Sequence, residues 1–355
     1  MTKENVVAVL KSLRDRKKGG NLKIVDTHVH PLDVMGVVHH GETKHRCPET
    51  DYLSPGPLEI FNYSKIEKLG SRIYFKLFPG SVAKIITRTY CEVNEERIME
   101  EMEASLVDQS VLLSLDPWVP TDSVGSLYVS NKKFLILGSL DVHSINASDI
   151  EKTIQFYVEK YHIVGLKFHP NIQNFMPQPS HNTPLIAERL RKIYEVAAKY
   201  RLYILFHGGI SNYTNAINLK YGKIERSRTN ALLKHFINLN GASELFEYGV
   251  PIIIAHIGHY GMVNIDYSLI RKICERYSNV FFDTSGVSTN TIRNALRVVS
   301  SKRIVFGSDA LYNRMAYNLA FLYNAVMTAN GGEKYETILA NVLGRNFERK
   351  ILKQL

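Results

Sequence analysis

The chain carries thirteen histidines, and several stand where apolar runs end. "IVDTHVHP" (Ile24–Pro31) closes on His28 and His30, "GLKFHP" on Lys167 and His169, and "LFHGG" on His207. "IAHIGH" brings His256, and "FGSDA" brings Asp309. Residues two apart on a strand share a face, so His28 and His30 point the same way, as do Lys167 and His169. A polar group left unpaired inside an apolar run is costly. One strand-end histidine reads as a hydrogen-bonded core residue, whereas five strand ends supplying ligand-type groups read as a site. Three or more neutral imidazoles plus a carboxylate suit Zn²⁺, or else Mn²⁺, Fe²⁺ or Ni²⁺.

Positioning those groups falls to eight apolar runs: "KIVDTHVHP", "QSVLLSL", "FLILGSLDV", "IVGLKFHP", "LYILFHGG", "PIIIAHIGH", "NVFFDTSG" and "RIVFGSDA". Their near-continuous apolarity is what a parallel sheet covered by helices requires. Helical periodicity predicts helices over 97–108, 149–161, 184–200, 267–277 and 289–300, with a closing pair near 313–330 and 334–352. An amphipathic N-terminal helix within residues 1–22 stops at Gly19-Gly20. Eight βα units close into a (β/α)₈ TIM barrel, whose active sites lie at the C-terminal strand ends. An open doubly wound sheet is the runner-up, but the first βα turn has no GxGxxG. Some 65 residues, Leu32 to Glu96, separate the first strand from its helix. A connection that long is a functional excursion, read here as an insertion, residues 32–96, lidding the mouth of one barrel domain spanning 1–355.

Hydrophobic content of 45% and charge of 22% are globular values. The net charge of +10 is uneven: seven Lys/Arg fall in the first 23 residues, and six between Lys65 and Arg88. Such clusters suit an anionic partner, or are simply solvated helix faces. Cys47, Cys91 and Cys274 show no CxxC spacing, so no disulfide framework or zinc ribbon is expected. The N-terminus lacks an apolar h-region and nowhere do about 18 apolar residues run together, so the expectation is a cytoplasmic protein without membrane contact.

Together "DTHVHP", "GLKFHP", "LFHGG", "IAHIGH" and "FGSDA" resemble the amidohydrolase superfamily of metal-dependent hydrolases, most closely its amidohydrolase 2 branch. That branch holds hydrolases and non-oxidative decarboxylases. The resemblance runs from Ile24 to the closing "ILANVLGRNFERKIL". It implies that His28, His30 and Asp309 bind a buried metal, with His207 the next ligand. In two-metal members the strand-four lysine, here Lys167, is carboxylated and bridges the ions, and His207 and His256 hold the second. In one-metal members His207 joins the first ion and His256 polarises the substrate or moves protons. The other reading of Lys167 is a cation paired with Asp309 or with a substrate carboxylate. A bound ion would bring the pKa of its water towards ~7, and Asp309 would orient that water and carry its proton.

The expectation is therefore a metal-dependent hydrolase, with zinc as its metal in one or two ions, acting on a small amide, lactone or other ester, an anionic one included. Its rival is a decarboxylase on the same scaffold. A TatD-like nuclease is a minor alternative, since that group carries a glutamate where Lys167 stands, so nucleic acid is not an expected partner. His169 is read as a structural strand-end residue in preference to an extra active-site group, and His259 as equally suited to a loop role or to catalysis. Asp283 in "FFDTSG" is read either as orienting an imidazole or as a helix N-cap. His39, His40, His45 and Cys47 fit no zinc-finger spacing and are read, with Arg46, as lining the pocket. The lid and the N-terminal helix are candidate surfaces for a homo-oligomer.

Overall fold

The computed structural model describes residues 1–20, 22–38, 50–56, 70, 73–74, 77–90, 95–211, 231–262, 264–329 and 333–354. Eight strands run β1 (Val25–Val29), β2 (Gln109–Leu113), β3 (Phe134–Gly138), β4 (Gly165–Phe168), β5 (Tyr203–Phe206), β6 (Ile252–Ile254), β7 (Val280–Asp283) and β8 (Ile304–Val305). They pair in parallel and in sequence order. Between β8 and β1 the barrel is drawn shut by a parallel bridge of Val29 with Ala310. The Thr27 N–H donates to the Phe306 carbonyl (3.0 Å) and the Asp309 N–H to that of His28 (2.9 Å). This is the (β/α)₈ barrel that the alternation predicts.

Side chains facing the barrel axis include Val25, Val111, Leu137, Tyr203, Ile253, Phe281 and Val305, and the closing helical segment adds Phe347 and Ile351. Val25 and Tyr203 begin their strands, and the Phe347 ring meets Tyr203 edge-on at 5.6 Å. The apolar plug therefore fills the N-terminal end and leaves the C-terminal end to polar groups. Gly165 shows how tightly the wall is built: a Cβ there would lie 2.5 Å from the Tyr203 carbonyl oxygen and 2.9 Å from its ring. Gly165→Ala is expected to destabilise the protein by about 1–3 kcal/mol through overpacking, read as a lower denaturation midpoint.

The N-terminal helix, Lys3–Lys18, buries Val6, Val9, Leu10 and Leu13, the 3–4 spacing of one helical face. Expected helices are found at Glu95–Ala104, Ile150–Tyr161, Pro184–Lys199, Tyr267–Arg276, Thr289–Val298 and Met315–Thr328. The single closing helix expected over 334–352 is instead Tyr335–Ala340 followed by widened π-type turns over Asn341–Arg345 and Phe347–Ile351. Two contacts account for the widening: the Phe306 N–H takes the Val342 carbonyl (2.9 Å), and Gly344 lies so close to the Lys23 carbonyl that a Cβ would meet it at 2.6 Å. A helix at Thr121–Tyr128 was not foreseen.

Both ends of the excursion after β1 are anchored beside the barrel mouth. Asp33 accepts the N–H groups of Met35, Val37 and Val38 and the hydroxyl of Tyr312, all at 2.7–2.9 Å. Near its far end, the Tyr90 hydroxyl donates to the His30 carbonyl (3.2 Å). A helix, Pro79–Thr89, lies between. The residues His39, His40, His45, Arg46 and Cys47 fall outside the described residues. Among the described residues no helix is long and apolar enough to cross a membrane.

Candidate metal centre

β1 delivers His28 within its last turn of pleat and His30 just beyond, and both are buried. Their Nε2 atoms lie 3.2 Å apart. Asp309, past the end of β8, brings Oδ1 to 3.5 Å from His28 Nε2 and 3.4 Å from His30 Nε2. Its backbone sits at φ +65°, a conformation Asp tolerates better than most residues. The three ligand-type atoms lie within 4.8 Å of one another.

What holds His28 decides its chemistry. Its Nδ1 is 2.8 Å from Asp283 Oδ2. Asp283 Oδ1 also accepts the N–H of His256 (2.8 Å) and of Ser285 (3.0 Å), together with the Ser285 hydroxyl. A carboxylate taking that many donors acts as an acceptor, so His28 donates from Nδ1 and presents a lone pair at Nε2. Asp283 thus orients an imidazole; the helix that follows is capped by Ser288 instead.

His256 follows β6 at φ +59°. Its Nδ1 donates to the Ser285 carbonyl at 2.8 Å, which leaves a lone pair at Nε2, 3.2 Å from His207 Nδ1. His207 Nε2 lies 3.3 Å from the Ser211 hydroxyl. His169, expected to be structural, has such contacts: its Nδ1 accepts the Ile172 N–H, and its ring stacks on His207 at 3.9 Å and 8°. His259 belongs to the loop, with Nδ1 against the Ile257 carbonyl (2.6 Å) and Nε2 accepting the Asp266 N–H (3.1 Å). The Ser285 brace, two residues beyond Asp283 in "FFDTSG", was not singled out from sequence.

Lys167, on β4, is fully buried, and its Nζ has no hydrogen-bond partner among the described residues. The ion pair with Asp309 that the sequence allowed is therefore not made. Burial lowers the Lys167 pKa to about 8, against the pull of Asp283 and Asp309. Burial likewise holds His28, His30 and His207 well below the ordinary imidazole value, and takes His256 down to about 4. Asp309 is pushed up by burial, with Lys167 opposing.

These atoms fit a divalent cation. The imidazoles are neutral, the state in which they ligate. The His28 Nε2 lone pair faces a carboxylate oxygen, and two acceptors so placed need a cation between them. A carboxylate–histidine pair such as Asp283–His28 is the usual support behind a metal-bound imidazole. Two nitrogens and one oxygen suit zinc, manganese or iron.

Comparisons with known proteins bear on the fold and the family. A family profile described as Amidohydrolase, of the amidohydrolase 2 group, matches residues 131–348, more than half of the chain. No curated protein sequence matches. Among solved structures, 2,6-dihydroxybenzoate decarboxylase in complex with 2,6-dihydroxybenzoate is similar in fold, with a TM-score of 0.55, 13% identity, and 94% of this chain and 99% of that one covered. A probable 2-pyrone-4,6-dicarboxylic acid hydrolase from Acinetobacter baumannii, with citric acid bound, gives 0.51, 12%, 94% and 100%. The 5-carboxyvanillate decarboxylase of Novosphingobium aromaticivorans, complexed with manganese and 4-hydroxy-3-methoxy-5-nitrobenzoic acid, gives 0.54, 15%, 94% and 96%. At such identities these structures speak for the fold, and the profile speaks for the family. With its eight-stranded parallel barrel the chain belongs to that family: an enzyme of the amidohydrolase 2 branch, a hydrolase or a lyase.

Proposed function

We propose that the protein is a metal-dependent hydrolase that directs water onto a small amide, lactone or other ester. The observation that carries this reading is the disposition of Asp309. One carboxylate oxygen faces Nε2 of both His28 and His30, while the other is turned towards Asn313. His28, His30 and Asp309 would hold the ion, zinc by preference, with His207 and His256 completing the shell or holding a second. When bound, a divalent ion supplies Lewis acidity, polarising an oxygen and lowering the pKa of coordinated water towards ~7. Asp309 orients the attacking water, accepts its proton and passes it to the leaving group. His256, neutral at pH 7 and with its lone pair at Nε2, takes a proton or ligates rather than donating to an oxyanion. Lys167 is suited either to reaction with CO₂, its neutral amine becoming a carbamate with release of one proton, or to pairing with an anionic substrate. Residues 32–96, anchored at Asp33 and Tyr90, would form the lid.

One observation favours a second reading, non-oxidative decarboxylation. Among the described residues, the buried cation Lys167 has no partner, and such a charge draws a substrate carboxylate. The similar folds include decarboxylases solved with hydroxy- and nitrobenzoic acids. Isotope labelling separates the two. With the zinc- or manganese-loaded protein in H₂¹⁸O, hydrolysis places ¹⁸O in the product acid, and chelation abolishes turnover. Release of CO₂ from hydroxybenzoates, with no turnover of lactones, esters or amides, would overturn the hydrolase reading in favour of the second.

A further inference from the structure

We infer that Asn313 is a positioning residue for Asp309, fixing the torsion of its carboxylate so that one oxygen is turned to the imidazole pair. The inference rests on Asp309 being a metal ligand. A carboxylate rotates about its last torsion in a broad well, so the side chain alone does not choose the plane in which its two equivalent oxygens lie. Here the choice is made by a hydrogen bond. The Asn313 side-chain amide lies 3.2 Å from Asp309 Oδ2. A carboxylate only accepts, so the amide end that faces it is the Nδ2 donor. With Oδ2 held, Oδ1 is the oxygen left towards His28 and His30.

Asn313 is itself immobilised. Its backbone N–H donates to the Asp309 carbonyl at 3.1 Å, closing the turn that joins the two residues. Only 2% of its surface is exposed. The amide packs over Gly286, at φ +56°, where even a Cβ would come within 3.3 Å of Asn313 Nδ2 and 3.6 Å of Asp309 Oδ2. The Gly286 N–H is in turn held by Asn318 Oδ1 (3.3 Å). A side chain and a bare glycine are thus fitted to one carboxylate oxygen. Asn313 Oδ1, by contrast, is buried with no partner among the described residues. An amide buried with only one end satisfied is a costly choice for mere packing, and the satisfied end is the one on Asp309.

The test uses metal-free full-length protein titrated with Mn²⁺ or Zn²⁺ alone by calorimetry, followed by steady-state kinetics of the loaded enzyme. Asn313→Ala removes the donor, and Asn313→Asp keeps the shape while facing Asp309 with an acceptor. Support behind a metal ligand is typically worth about 10–100-fold in affinity or activity. Both variants are expected to bind the ion at least ~10-fold more weakly and to lose kcat rather than raise KM, with the aspartate variant the worse. A packing role would give the opposite order, the isosteric aspartate variant restoring what alanine loses. That order, or unchanged affinity and kcat in both variants, overturns the inference. Wild type that binds no divalent ion overturns the metal reading of Asp309 and this inference with it. If the alanine variant does not fold, the aspartate variant alone decides, since its donor is gone and its volume is not.

Discussion

Asp309→Asn is expected to leave the fold intact and to lower kcat by about 10³-fold or more. The substitution keeps the size of a side chain that is nearly fully buried, so the segment joining β8 to β1 has no reason to move. What it removes is chemical. The neutral amide has no charge to set against a dication, and its oxygen cannot take a proton from water and return it to a leaving group. If its oxygen keeps the Asn313 Nδ2 donor, its NH2 is turned towards His28 and His30, where no metal ligand is left. Loss of general acid–base function alone is worth about 10²–10⁴-fold, and weakened ion binding adds to it. Circular dichroism should match wild type. A variant within about tenfold of wild-type kcat, under the same metal loading, contradicts the role given to Asp309.

Lys167→Met is expected to make the metal-free protein more stable and the enzyme far less active. Lys167 is fully buried and its Nζ is unpartnered among the described residues. Burial drops its pKa from 10.5 to about 8. The folded state therefore holds this proton less tightly than the unfolded chain does. Below pH 8 the full cost of the buried charge opposes folding, and the cost is relieved as pH rises from about 8 towards 10.5. That difference corresponds to about 3 kcal/mol. Methionine has similar length and no charge, so the variant should gain up to about 3 kcal/mol at pH 7, with the gain shrinking above pH 8. Denaturant midpoints measured from pH 6 to pH 10 read this directly. Turnover should fall by at least ~10²-fold whether the lysine bridges ions as a carbamate or draws an anionic substrate. Equal stability of the two proteins across that range would show that the ammonium is not strained by burial. An active variant would remove Lys167 from the site.

Much of the barrel is legible in the sequence because its strands are apolar on both faces. Runs such as "PIIIAHIGH" have no solvent side to disguise them. The polar strand ends are legible for the same reason: His28, Lys167, His207, His256 and Asp309 stand out where apolar runs end. The helix at Thr121–Tyr128 was hidden by Gly125, which breaks the helical pattern because the Tyr161 ring occupies the space of a side chain, 2.3 Å from where its Cβ would be. The widened turns after Ala340 were hidden because their cause is distant in sequence, at Lys23 and Phe306. Roles depending on one hydrogen bond were equally out of reach. His259 turned on its Ile257 and Asp266 partners, and Asn313, in "ALYNR", belongs to no period or motif. Spacing could say that His28 and His30 share a face. It could not say that Asp283 fixes the tautomer of one of them.

The central claim is that His28, His30 and Asp309 form a divalent metal centre at the barrel mouth. Anomalous diffraction from crystals of the protein loaded with zinc or manganese tests it most directly. The account predicts a peak at the C-terminal end of the barrel, bonded to His28 Nε2, His30 Nε2 and an Asp309 oxygen. A loaded protein with no ion at the mouth, or with its ion bonded to none of these three, would contradict it.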